Sequence, residues 1–121
     1  MTPEELKKRT KEFALRVVKL VTALPDTPCG RVFGRQLLRS GTSVGANYRA
    51  ACRARSRAEF VAKLGNVIEE ADESAYWLEL IVESKLMSSK LVDGLHQEAD
   101  ELTAIMIASR KSAQKNASPF E

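Results

Sequence analysis

Apolar side chains recur at helical spacing in four successive segments of the chain, and no segment alternates apolar and polar residues as a strand does. In the first segment this spacing predicts a core stripe at Leu6, Phe13, Val17, Leu20 and Leu24. Four amphipathic helices of about 20 residues joined by short connections are typical of one architecture. The sequence therefore predicts an all-α fold, an antiparallel up-down-up-down four-helix bundle.

Capping signals predict where the first two helices begin and end. Residues 2–5, Thr-Pro-Glu-Glu, form a capping box with proline at the first helical position. Residues 25–28, Pro-Asp-Thr-Pro, are interpreted as a rigid connection because proline disfavours helix in the residue before it. The second helix is accordingly expected from about Arg31 to Ala54.

Serines mark the start of the third and fourth helices. Ser56 with Glu59 predicts another capping box, and Ser88 or Ser89 is expected to cap the last helix. The core stripe of that last helix is predicted at Leu91, Leu95, Leu102, Ile105 and Ser109.

The size of the chain predicts a single domain at residues 1–113, followed by a flexible tail at residues 114–121. No apolar run approaches the roughly 18 residues that a membrane span needs, so no membrane contact is expected. The N-terminus has no apolar signal core, which favours a cytoplasmic protein. Cys29 and Cys52 form no C-x-x-C pair and are expected to be reduced thiols, with a disulfide left open.

Two glycines of the second helix, Gly41 and Gly45, lie four residues apart. Each costs about 1 kcal/mol relative to alanine inside a helix, so their spacing indicates a close approach by another helix. The contact could lie within the bundle or between subunits. We favour subunits, because apolar groups outside the core stripes exceed what one small core requires. The predicted interface comprises Gly41, Gly45, Glu73, Trp77 and Leu80.

Charge is divided along the chain, although the net charge is only +3. Residues 31–63 contain one acid, Glu59, whereas residues 64–101 are predominantly acidic. The basic side chains form either a solvated, ion-paired face or a surface that contacts phosphates. Apart from Tyr48 no aromatic residue interleaves with them, so any binding should be sequence-indifferent. The predicted nucleic-acid-binding set is Arg35, Arg39, Arg49, Arg53, Arg55, Arg57 and Lys63.

Residues suited to catalysis or metal binding are scarce. His96 is the one histidine, and no second histidine exists to complete a di-iron bundle site. A metal-dependent enzyme using Glu70, Glu73 and His96 is a remote alternative. We expect no catalytic residues, no metal site and no cofactor.

The stretches LRSGTSVGAN at 38–47 and KLGNVIEEADESAYWLEL at 63–80 resemble a bacterial four-helix-bundle family. That family was first noticed as proteins encoded by intervening sequences in large-subunit ribosomal RNA genes. It is also similar to the accessory variability determinant proteins of diversity-generating retroelements. The resemblance implies a ring-like homopentamer without catalytic residues. For retroelement members it also implies binding of nucleic acid and of a reverse transcriptase.

The family pattern falls on five residues that we interpret as structural. Ser43 and Asn47 are expected to satisfy buried polar partners, and Glu70 or Glu73 to pair with an arginine of the second helix or of a neighbouring subunit. Trp77 completes the pattern. The predicted function is a non-enzymatic oligomeric adaptor that binds RNA or DNA, with a reverse transcriptase as a candidate partner. The alternative is a structural module whose basic and acidic faces serve only subunit docking.

Overall fold

Four helices make up the computed structural model, which describes residues 1–115. They are α1 Pro3–Thr22, α2 Pro28–Cys52, α3 Arg57–Glu83 and α4 Ser89–Lys115. Each helix contacts the next along the chain and α1 contacts α4, so the order around the bundle follows the sequence. The predicted four-helix bundle is confirmed, and no strand occurs in the described part. The helix α4 includes residues 114 and 115, which the sequence assigned to the tail, and the rest of the predicted tail lies outside the described residues.

Capping explains the helix boundaries, including one that the sequence reading placed wrongly. The capping box at Thr2 is confirmed. At Ser56 the predicted box is confirmed in part, since the Ser56 hydroxyl accepts a hydrogen bond from the Glu59 N–H at 3.0 Å. The second helix begins at Pro28, earlier than predicted, because Thr27 acts as its N-cap. The Thr27 hydroxyl accepts a hydrogen bond from the Gly30 N–H at 3.0 Å, and Pro28 occupies the first helical position.

The core runs along the bundle axis and takes one apolar stripe from each helix. The predicted stripe of α1 is confirmed at Leu6, Phe13, Val17 and Leu20, whereas Leu24 is half-buried. In α2 and α3 the fully buried side chains include Leu37 and Leu78. The α4 stripe is wrong at two positions, since Leu91 is exposed and Ser109 is a half-buried polar residue, whereas half-buried Ile105 packs against the core. The buried side chains of α4 are Val92, Leu95, Ala99, Leu102 and Met106.

Glycines of α2 let α1 pack closely against it. A Cβ added at Gly41 would lie 2.7 Å from a Val17 methyl group, and one at Gly45 would lie 3.2 Å from the Thr10 hydroxyl. Both glycines are buried. The close helix contact predicted from these glycines therefore lies within the bundle, between α1 and α2, and the assignment of Gly41 and Gly45 to a subunit interface is corrected.

A buried polar contact joins α2 to α3. The hydroxyl groups of Ser40 and Ser74 lie 3.0 Å apart, and both side chains are fully buried. Ser43 is half-buried and donates to the Arg39 carbonyl of its own helix at 2.6 Å. Asn47 is also half-buried and makes no side-chain hydrogen bond to another described residue. The role predicted for Ser43 and Asn47 therefore belongs to Ser40 and Ser74.

Candidate nucleic-acid interface

A groove of about 670 Å³ lies between the first half of α1 and the second half of α2, and we call it the α1–α2 groove. The two helices are antiparallel, so lysines near the chain's start face arginines near the end of α2. The floor consists largely of small residues, among them Ala14, Gly45 and Ala46. The charged residues of the lining are Glu4, Lys7, Lys8, Lys11, Arg49 and Arg53.

Most of the cations in this groove are available to a ligand. Lys7 pairs with Glu4 at 3.2 Å, in an exposed ion pair of the kind that contributes at most about 1 kcal/mol. The other four, Lys8, Lys11, Arg49 and Arg53, make no ion pair with any carboxylate among residues 1–115. No aromatic side chain lines the groove. Its chemistry therefore suits a phosphate backbone and offers no platform on which a base could stack.

Arg39 lies outside the α1–α2 groove and is paired with carboxylates, and its role in nucleic-acid binding stays a prediction. Its guanidinium donates to Glu70 at 3.1 Å and to Glu73. Glu73 also accepts a hydrogen bond from the Trp77 indole N–H at 2.9 Å. That bond, together with Arg39, lowers the pKa of Glu73, and the bond to Glu73 raises the pKa of Arg39. The expectation that Glu70 or Glu73 pairs with an arginine of the second helix is confirmed.

The other predicted cations are dispersed over the surface. Arg35 lies near the start of α2, at the opposite end from the groove. Arg55 lies in the connection between α2 and α3, and Arg57 is the first residue of α3. Lys63 lies 3.9 Å from Glu59 on α3. Of the seven predicted residues, the structure thus brings only Arg49 and Arg53 into the α1–α2 groove.

Aromatic side chains form a second surface feature, on the outer side of the α2–α3 contact. The ring centroid of Trp77 lies 5.9 Å from that of Phe33 and 5.1 Å from that of Tyr76. Tyr76 is 53% exposed, and Trp77 and Leu80 are half-buried. We call Phe33, Tyr76, Trp77 and Leu80 the aromatic patch. Its use as a subunit interface remains a prediction.

Comparison with known proteins places the chain in a family. The family described as 23S rRNA-intervening sequence protein matches residues 4–108, nearly the whole bundle. The chain belongs to this family. It is also similar to a solved structure from Bacteroides thetaiotaomicron, described as a protein with unknown function from the S23 ribosomal protein family. The two chains are 36% identical with a TM-score of 0.85, and the match covers 92% of this chain and 99% of the other. No curated protein matches.

Neither the family's description nor the neighbour's names an enzymatic activity. Within residues 1–115 no three potential metal ligands converge. Glu70 and Glu73 pair with Arg39, whereas the His96 Nε2 atom lies 2.8 Å from Glu79, so the remote metal hypothesis is wrong in its geometry. Both cysteines are free thiols, as predicted. No helix in this part of the chain is both long and apolar enough to cross a membrane.

Sequence reasoning missed the α1 half of the groove. The residues concerned are Lys7, Lys8 and Lys11, which belong to a basic N-terminal stretch that is visible in the sequence. The signal that could have identified them is the antiparallel order of the first two helices. That order turns the lysine-rich start of α1 toward Arg49 and Arg53.

Proposed function

We propose that this member of the 23S rRNA-intervening sequence family is a non-enzymatic, homo-oligomeric adaptor that binds nucleic acid in the α1–α2 groove. The observation that supports it is the set of four cations without a carboxylate partner among the described residues: Lys8, Lys11, Arg49 and Arg53. Each one that approaches a phosphate releases condensed counterions. The small floor residues leave room for a sugar–phosphate strand, and binding is largely indifferent to sequence.

Assembly into a ring, which we propose to contain five copies, multiplies this weak contact. Several grooves that engage one polyanion raise the apparent affinity through effective concentration. The aromatic patch supports self-association, since exposed Tyr76 lies beside Trp77 and Leu80 on one surface. A cytoplasmic reverse transcriptase is the candidate protein partner, as the resemblance to retroelement accessory proteins implies.

A titration with mixed-sequence RNA and DNA at several salt concentrations tests nucleic-acid binding. Four neutralised phosphates predict a slope of log K against log salt of about −3 to −4 for one groove. Arg49→Glu combined with Arg53→Glu should lower the affinity at least about tenfold at low salt, because each reversal replaces a phosphate contact by repulsion. Lys90→Glu combined with Lys111→Glu is the matched control, since both lysines are exposed on α4, outside the groove. Absence of binding at low salt, or binding with no salt dependence, contradicts the proposal.

A second candidate function is supported by the charge distribution. The α1–α2 surface is basic, whereas α3 and the first part of α4 carry most of the acids. A basic face of one subunit could therefore dock on the acidic face of the next, in a head-to-tail contact that closes into a ring. In that case the cations would serve assembly alone, and the protein would be a structural interaction module.

A further inference from the structure

A cleft between α1 and α4 has no part in the nucleic-acid proposal. Of the neighbouring helix pairs, α1 and α4 contact each other at the fewest positions. Toward the start of α1 the pair is held by Arg9, whose Nε and Nη2 atoms both donate to the Glu98 carboxylate at 2.7 Å. Toward the end of α1 the helices leave a cleft of about 350 Å³, which we call the α1–α4 groove.

The floor and one wall of the α1–α4 groove are apolar. Leu20 and Leu95 lie at its base and are almost fully buried, and Met87 is half-buried at one end. Leu91 lies on the wall and is 69% exposed. It immediately precedes the core residue Val92, so the helical rotation between them turns Leu91 away from the core and toward the cleft. A leucine this exposed beside an apolar cleft marks an interaction surface, because covering it removes apolar area from water and is therefore favourable.

The opposite wall is cationic. Arg16 and Lys19 are three residues apart on α1 and line the same groove. Neither makes an ion pair with a carboxylate among residues 1–115. The Arg16 Nη2 atom lies 3.4 Å from the position of a Cβ on Gly94, so the guanidinium extends across α4 where no side chain obstructs it. A ligand of the groove therefore meets an apolar floor with positive charge along one edge.

We propose that the α1–α4 groove binds an amphipathic helix of a protein partner, with its apolar stripe on the cleft and its carboxylates facing Arg16 and Lys19. The groove extends along α1 over residues 16–23, which is about 11 Å or two helical turns. A helix of this length presents anchors at i, i+3 or i+4, and i+7. Nucleic acid is a poor occupant because the floor is apolar. A membrane surface is also disfavoured, because the groove is concave and has cations on one wall only.

The test is fluorescence anisotropy of the full chain with a labelled synthetic peptide. The probe is a 14-residue helix-forming peptide with leucines at i, i+3, i+4 and i+7 and glutamates along one flank. Saturable binding is expected, with a gain of peptide helicity in circular dichroism. The same peptide with lysines in place of the glutamates should bind about tenfold more weakly, since its charges then face Arg16 and Lys19.

Variants of the protein assign the binding to this groove. Leu91→Gln, and separately Arg16→Gln with Lys19→Gln, should each weaken binding at least about fivefold because each removes one of the two complementary features. Leu15→Gln and Lys111→Gln are the matched controls, since both residues are exposed and lie outside the groove. Their binding should equal that of the wild type, and circular dichroism checks that every variant is folded.

Three results would overturn this inference. They are the absence of saturable binding, equal binding of the lysine peptide, and binding that is unchanged in Leu91→Gln. Phosphatidylglycerol vesicles that displace the peptide in a Leu91-dependent manner would identify a lipid surface as the occupant, which also overturns it. The α1–α4 groove lies on a different face from Arg49 and Arg53. A negative result with the peptide would therefore leave the proposal of nucleic-acid binding unaffected.

Discussion

Glu73 is the residue through which the outer side of α2 is tied to α3. It accepts from Arg39 of α2 and from the indole N–H of Trp77, one turn further along its own helix. Trp77 in turn packs against Phe33 of α2. The Glu73 carboxylate thus forms an ion pair with Arg39 and also orients the Trp77 side chain of the aromatic patch. Its pKa is lowered because both partners favour the ionised form.

Glu73 should give the protein a measurable dependence of stability on pH. Since its folded-state pKa lies below its unfolded value, its contribution is present at neutral pH and is lost as pH falls through the folded-state pKa. In Glu73→Gln the free energy of unfolding should be lower than in the wild type at pH 7, and the difference should shrink toward pH 3. Urea denaturation followed by Trp77 fluorescence measures it, with Asp72→Asn as the control for an exposed carboxylate. A difference that stays constant with pH would contradict the assignment.

The glycines show how far a single residue type can be interpreted from sequence. Gly41 and Gly45 predicted a close helix contact, and the structure contains one. The sequence could not say which helix fills the space, because a missing side chain carries no information about its neighbour. Arg39 posed a related difficulty: an ion pair between Glu70 or Glu73 and an arginine of α2 was predicted, but the sequence did not say which arginine forms it.

The turn between α3 and α4 depends on one residue in an unfavourable backbone conformation. Lys85 has φ 63°, in the left-handed region that favours glycine. The Lys85 N–H donates to the Val82 carbonyl at 3.0 Å and the Leu86 N–H to the Ile81 carbonyl at 3.1 Å. These are the two hydrogen bonds of a Schellman motif, which ends α3 and reverses the chain.

Lys85→Gly should therefore stabilise the protein. Removal of the Cβ relieves a cost of about 1–2 kcal/mol, and the greater freedom of glycine in the unfolded chain offsets part of it. We expect a net gain of up to about 1 kcal/mol in the free energy of unfolding, measured by urea denaturation. Ser84→Gly is the control and should be destabilising, because Ser84 has φ −84° and its hydroxyl donates to the Leu80 carbonyl. A loss of stability in Lys85→Gly would contradict this account of the turn.

The core stripe was predicted better in α1 than in α4. In α1 four of the five predicted residues, Leu6, Phe13, Val17 and Leu20, are buried. In α4 the apolar residues 91, 92, 105, 106 and 107 occupy adjacent positions around the helix, so the pattern does not decide which of them face α3. The start of α2 was missed for another reason. A Thr-Pro pair is typical of a turn and also of a helix N-terminus, and the following residues decide between them.

Basic and acidic residues are separated along the sequence, but only the packing of the helices decides which of them share a surface. Lys8 and Arg53 are far apart in sequence, yet the antiparallel packing of α1 on α2 places both in one groove. The sequence predicted a basic face, but it could not supply the register between helices that decides which cations converge. It also could not show that Arg39 is occupied by Glu70 and Glu73 while Arg49 and Arg53 have no such partner among the described residues.

One charge reversal distinguishes a groove that binds nucleic acid from a face that only docks subunits. If the groove faces solvent in the assembly, Arg53→Glu leaves the oligomer intact and weakens nucleic-acid binding. Light scattering should then give the wild-type mass, which we expect to be five times the 13.4 kDa of one chain. If the groove instead docks on the acidic residues of the neighbouring subunit, the Arg53→Glu oligomer should dissociate, and light scattering should give a lower mass. Lys90→Glu, which changes the net charge equally, controls for charge alone, and dissociation specific to Arg53→Glu would favour the docking module.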